Sequence, residues 1–122
     1  MTIARVVACD TDPLAAASQQ LNAALNNVEV ESLTLDPVGR PLAEVDFVLA
    51  GDVCYERGVA ARVAAWLRQL AAAGQDVVLA DPGRAYAPTD GLEVLASFDV
   101  PTTRELESAD SMRTLVWRLH AS

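Results

Sequence analysis

Short β-branched apolar runs alternate with longer amphipathic stretches along this chain, and that alternation restricts the fold more than any other feature. Residues 3–9 (IARVVAC) form a buried-strand pattern that ends at Asp10. Asp12 can cap a helix and Pro13 suits its first position. Leu14, Ala17, Leu21 and Leu25 then recur at helical spacing, which predicts an amphipathic helix ending near Asn26 and Asn27. Residues 28–35 (VEVESLTL) alternate and predict a strand with one exposed face. Residues 36–44 hold two prolines and a glycine and read as a loop. A second buried strand covers 45–50 and stops at Gly51 and Asp52. The stretch 57–73 puts Val59, Val63, Trp66, Leu67 and Leu70 on one helical face, with Gly74 as its stop. Residues 76–80 (DVVLA) predict another strand, closed by Asp81, Pro82 and Gly83. A short helix is expected over 91–96. Residues 98–106 and 112–119, separated by Ser108, Ala109 and Asp110, predict an antiparallel pair at a sheet edge. Pro101 keeps the first of these from a central position.

This order implies an α/β fold with a mostly parallel sheet and helical crossovers. Three strands run into an acid at their carboxyl ends, Asp10, Asp52 and Asp81, and Asp36 closely follows a fourth. Ligands of open α/β sheets bind along that edge. A single Asp there is usually a cap or a turn former. Four along one edge favour a site.

Composition narrows the function. With 122 residues the chain is read as one domain, and 52% apolar residues are enough for a core. The formal net charge is −8, and all nine basic residues are Arg. An acidic domain without a basic cluster is not built to bind a phosphate backbone, so no nucleic-acid partner is expected. The absence of Lys also removes the partner that a phosphoacceptor acid of a response-regulator-like domain needs. Cys9 and Cys54 sit in apolar stretches and are expected as buried, reduced thiols. One His and two separated Cys suggest no metal site. No signal peptide and no transmembrane-length run is seen, so a cytoplasmic protein without membrane attachment is expected. Trp66 is expected in the core, Trp117 as packing in an edge strand, and His120 as a solvated tail residue.

The first strand, ending in an acid, has the form of a nucleotide fold's second strand, where a carboxylate accepts hydrogen bonds from ribose hydroxyls. That acid normally lies ~20 residues beyond a glycine-rich turn. Only nine residues precede Asp10, and none is glycine. The residues alone therefore give a nucleotide-type α/β domain lacking its first strand and loop.

Further motifs carry a resemblance. Residues 7–13 (VACDTDP), with the helix ending LNAALN at 21–26, resemble the second-strand region of class I S-adenosylmethionine-dependent methyltransferases. Residues 46–55 (DFVLAGDVCY) look like the fourth strand and following motif of the seven-stranded protein-lysine methyltransferases, an acid followed after two variable residues by an aromatic. Residues 81–86 (DPGRAY) and 114–119 (TLVWRL) are similar to bacterial relatives of the electron-transfer-flavoprotein β-subunit lysine methyltransferase, proteins often labelled nicotinamide N-methyltransferase-like.

The resemblance spans nearly the whole chain. It implies a Rossmann-like sheet with an antiparallel C-terminal pair, S-adenosylmethionine as cofactor, and N-methylation of a protein lysine, with electron-transfer flavoprotein β subunit among the candidate substrates. By position, Asp10 would bind the ribose hydroxyls, Asp36 would lie near the adenine amino group, and Gly51 would border the cofactor. Asp52 and Tyr55 would orient the accepting amine, and Asp81 and Arg84 would shape the substrate mouth. Tyr55 also fits as a core-edge aromatic, and Arg84 as a surface residue.

The chain departs from the family at its start, where the first strand and glycine-rich loop are missing. That strand is central in the family, between the second and fourth. Its loss is expected to leave unpaired backbone edges and a chain inactive alone. A truncated reading frame, a strand supplied by another chain, or a sheet closed differently would each follow. The expectation taken forward is a homo-oligomer that covers the edge. The alternative is a non-catalytic, degenerate methyltransferase-like module that self-associates.

Overall fold

The computed structural model describes residues 5–42, 44–51, 56–82, 88, 90–101 and 111–121. They gather into two compact units, Met1–Val38 and Gly39–Ser122.

The first unit is a βαβ arrangement: β1 (Val7–Asp10), α1 (Pro13–Leu25) and β2 (Glu31–Thr34), with β1 and β2 parallel. Asp12 caps α1 as the sequence predicts. Its side chain accepts a hydrogen bond from Leu14 N at 2.9 Å, and Pro13 fills the first helical turn, where a missing N–H costs nothing. The helix stops at Asn26. Asn27 takes a left-handed φ of 53°, which Asn tolerates better than most residues. Gln20 Nε2 ties α1 to the second strand's segment, donating to Val30 O at 2.7 Å and Ser32 Oγ at 2.9 Å.

The helix presents its faces differently from a simple amphipathic reading. Ala15, Ala16, Gln19 and Ala23 are its partly or fully buried residues. Leu14, Leu21 and Leu25 lie on the other side and are 78%, 69% and 81% exposed. Periodicity identifies which residues share a face but not which face meets the sheet. Two four-residue strands are covered by the small residues, and the leucine stripe is left in solvent. Cys9, expected buried, is exposed on β1.

The second unit is a four-stranded mixed sheet with one helix: β3 (Phe47–Gly51), α2 (Arg57–Ala72), β4 (Asp76–Asp81), β5 (Leu92–Pro101) and β6 (Ser111–Leu119), in strand order β3-β4-β6-β5. β3 and β4 are parallel. β6 is antiparallel to both β4 and β5. The core lies between α2 and one sheet face. Ala60, Val63, Trp66, Leu67 and Leu70 come from the helix, and Val77, Leu79, Trp117 and Leu119 come from the strands. Trp66 also satisfies its indole N–H, which donates to Arg40 O at 2.8 Å. Gly74 ends α2 at φ 98°, a conformation that only glycine adopts without strain. Gln75 Nε2 donates to the carbonyls of Leu42 and Val45, which fixes the entry into β3.

On the opposite sheet face, Arg118 bridges strands. Its Nε lies 2.9 Å from Asp76 Oδ1 and its Nη1 lies 3.6 Å from Glu93 Oε2. The hydrogen bond and charge of Asp76 raise the Arg118 pKa above its ordinary value.

Two expectations are corrected here. Residues 91–96, expected as a short helix, begin β5 instead. A β-bulge between Val94 and Ala96 inserts Leu95 into the ladder and resets the alternation, so Leu92, Leu95 and Ala96 mimic helical spacing. Trp117 sits on β6, which is interior between β4 and β5 rather than an edge. The expected antiparallel pair does lie at the sheet edge, but its outer strand, β5, runs over Leu92–Pro101 rather than 98–106, and residues 102–106 lie outside the described residues.

The two edges of this sheet differ in chemistry. β5 carries Glu93, Asp99, a bulge and Pro101, all of which discourage further pairing. β3 (FVLAG) carries no charge, no proline and no bulge, and among the described residues it pairs only with β4. Phe47 and Leu49 on it are 50% and 74% exposed.

Candidate functional site

Within each unit, the described candidate residues lie at or just beyond the carboxyl ends of parallel strands. In the first unit, Asp10 is the last residue of β1, opposite Thr34 of β2. Leu35 N donates to Asp10 O at 3.0 Å, so the ladder runs right up to the acid. The Asp10 carboxylate is exposed, and its Oδ1 accepts from Asp12 N at 2.9 Å. Asp36 lies two residues beyond β2 and is half-buried. Its Oδ1 accepts from Val38 N at 3.0 Å across Pro37. Asp10 and Asp36 therefore both occupy the edge where the sequence predicts a cofactor, each at the end of a neighbouring strand.

In the second unit, Gly51 closes β3 and pairs in register with Ala80, one residue before Asp81. A Cβ built on Gly51 would meet no described atom within 4 Å. Asp81 closes β4 and is fully buried, at 0% exposure. It follows the alternation of Val77 and Leu79, which turns it toward the α2 side of the sheet. Asp52, Tyr55 and Arg84 lie outside the described residues.

A cavity of about 440 Å³ is lined by Gly39, Arg40, Leu42, Trp66, Leu70 and Gln75 among others. Gln75 precedes β4, so this cavity lies at the amino end of that strand, whereas Gly51 and Asp81 lie at the carboxyl ends of β3 and β4. Among the described residues, no three His, Cys, Asp or Glu side chains are placed to share a metal ion.

Asp12 is the residue whose part at the edge the sequence pattern alone leaves unstated. It reads as a helix cap, which it is. Its backbone N–H also holds the Asp10 carboxylate. The signal is the D-x-D-P spacing, because an Asp side chain commonly accepts from the amide two residues on.

The Asp10 edge fits a ribose-binding carboxylate: it is solvent-accessible, its backbone is fixed by β2, and the neighbouring acid is at the next strand end. No family model matches the chain. The electron transfer flavoprotein beta subunit lysine methyltransferase of Danio rerio is 32% identical over 119 residues, covering 93% of this chain and 46% of that protein. The protein of the same name from Xenopus laevis is 28% identical over 118 residues, covering 92% and 48%. The chain thus spans about half the length of the curated relatives it matches. Among solved structures, the N-methyltransferase NodS from Bradyrhizobium japonicum WM9 in complex with S-adenosyl-L-homocysteine superposes with a TM-score of 0.61 at 13% identity. That match covers 94% of this chain and 66% of the NodS chain. A second NodS structure gives 0.59 at 12% identity, with 95% and 74% covered. The mixed sheet with its helices, the fold of NodS and the likeness to the two lysine methyltransferases make this chain a class I methyltransferase-like protein with an α/β, Rossmann-like fold.

Proposed function

We propose that this chain acts as an S-adenosylmethionine-dependent N-methyltransferase that modifies a protein lysine. The observation that carries the reading is the likeness to the Danio rerio lysine methyltransferase across 93% of the chain. The exposed Asp10 carboxylate at the end of β1 supports it, because two adjacent ribose hydroxyls need such an acceptor. Asp36 would lie toward the adenine, and Gly51 would border the cofactor. S-adenosylmethionine, when bound, supplies a methyl group on a positively charged sulfur.

The chain's own residues would prepare the acceptor. A lysine amine attacks only when neutral, and in-line placement matters more than a strong base. Asp52 would hold the arriving ammonium through its carboxylate, and Tyr55 would offer an aromatic face that favours a cation. Arg84 would border the substrate entrance, whereas Asp81, fully buried on the α2 side of the sheet, is closed off from it. The β subunit of electron-transfer flavoprotein is the substrate to try first, since both curated relatives are named for it.

The test is methyl transfer from isotopically labelled S-adenosylmethionine to that β subunit, read by mass spectrometry of its lysine peptides. Label on a lysine, lost in Asp52→Asn and reduced in Tyr55→Ala, is expected. Equal labelling by wild type and Asp52→Asn would remove Asp52 from the acceptor site.

A second reading is favoured by the unprotected edge of β3. In it the chain is a non-catalytic methyltransferase-like module that self-associates, or an enzyme that needs a second copy to cover that edge. Light scattering of the ligand-free protein distinguishes these. A dimer that transfers methyl groups supports the enzyme, a dimer without transfer supports the module, and a clean monomer counts against both.

A further inference from the structure

We propose that Asp12 is a positioning residue for the cofactor site: it touches no ligand itself and fixes the direction in which Asp10 presents its carboxylate. The inference rests on the cofactor reading of Asp10 above and goes beyond it to a residue that reading does not use.

Four constraints meet in the turn between β1 and α1. Leu35 N holds the Asp10 carbonyl, so the backbone cannot swing away from β2. Asp12 N donates to Asp10 Oδ1 at 2.9 Å, which sets the rotation of the carboxylate. The Asp12 side chain is committed in the other direction, accepting from Leu14 N at 2.9 Å. Asp12 O accepts from Ala15 N at 3.0 Å, and Pro13 restricts the next φ to the value a helix start needs.

The Asp12 side chain therefore anchors the turn to the helix, and the anchored turn aims the Asp12 amide at Asp10. A carboxylate oxygen has two lone-pair sites, so Oδ1 keeps one free while Oδ2 keeps both. The held carboxylate can then meet two adjacent hydroxyls without first losing rotational freedom, which is how preorganisation adds affinity.

This assigns different effects to removing the acid and removing its anchor. Asp10→Ala deletes the acceptor. Asp12→Ala leaves the acceptor in place and loosens it. Asp12→Asn keeps a capping oxygen, since Asn caps helices about as well as Asp, and should behave as wild type.

The test combines amide exchange on the 122-residue chain with calorimetry using two ligands, S-adenosyl-L-homocysteine and its 2′,3′-dideoxy analogue. In the free protein, the Asp12 amide should exchange slowly. The residue-12 amide should exchange faster in Asp10→Ala and Asp12→Ala, and slowly again in Asp12→Asn, with amides in the middle of α1 unchanged. S-adenosyl-L-homocysteine should bind roughly fivefold more weakly to Asp12→Ala, as expected when one side chain must be ordered on binding, and normally to Asp12→Asn. The dideoxy analogue should bind all three alike. Unchanged exchange at residue 12 in Asp12→Ala overturns the proposal, as does equal weakening of both ligands, which marks a purely structural residue. If wild type binds neither ligand, the cofactor reading of Asp10 fails, and Asp12 loses its role at a cofactor site even where exchange shows that it orients Asp10.

Discussion

Single residues divide sharply by burial in this chain, and their expected effects divide with them. Leu79 is fully buried between α2 and the sheet, so Leu79→Ala removes apolar contacts and leaves a cavity. A loss of about 3 kcal/mol is expected in the urea unfolding midpoint analysis. Arg118 is partly exposed, and its pairs with Asp76 and Glu93 lie on the sheet's other face. Arg118→Ala should move the same midpoint far less, because water and salt screen such pairs. Cys9 gives a third contrast. It is exposed on β1, so a maleimide reagent should label it in the native protein, with the site located by peptide mass spectrometry. Protection of Cys9 until denaturant is added would contradict the description of β1. At this scale the sequence was informative wherever chemistry is local. Asp10, Asp12 and Pro13 could be read as a strand end and helix start because each acts on atoms two or three residues away. The exposure of Cys9 and the burial of Asp81 depend on which strand face meets a helix, and no local pattern states that.

Among the elements, α2 and β4 follow their sequence patterns closely, β3 forms where expected but is largely exposed rather than buried, and α1 and β5 show where such patterns mislead. The face of α2 with Val63, Trp66, Leu67 and Leu70 is the buried one, because a four-stranded sheet offers enough apolar surface to receive it. The leucines of α1 form an equally regular stripe yet face solvent. Leu21→Gln should therefore change stability by no more than about 0.5 kcal/mol in this chain, whereas Leu67→Ala should cost about 3 kcal/mol. The β5 bulge explains the remaining miss, since one inserted residue converts an alternating pattern into one with helical spacing. The contrast between the β3 and β5 edges carries its own prediction. If β3 mediates association, Leu49→Lys should shift the protein toward monomer in light scattering, as a charge on an edge strand does. An unchanged dimer in that variant would place the contact elsewhere.

For the molecule as a whole, the fold class was readable because strand–helix alternation permits few arrangements, and the resemblance to class I methyltransferases was drawn from DTDP, DFVLAGDVCY and DPGRAY, which follow one another along the chain. The net charge of −8 sets the copies of this chain against one another, so any self-association should strengthen as salt screens the repulsion. No helix among the described residues is long and apolar enough to cross a membrane. The central residue is Asp10, as an acceptor for the cofactor ribose. Calorimetry of S-adenosyl-L-homocysteine into the wild-type chain and Asp10→Ala tests this directly. Binding heat is expected for wild type and none for Asp10→Ala at the same millimolar ligand. Equal heats from the two proteins, or no heat from either, would contradict it.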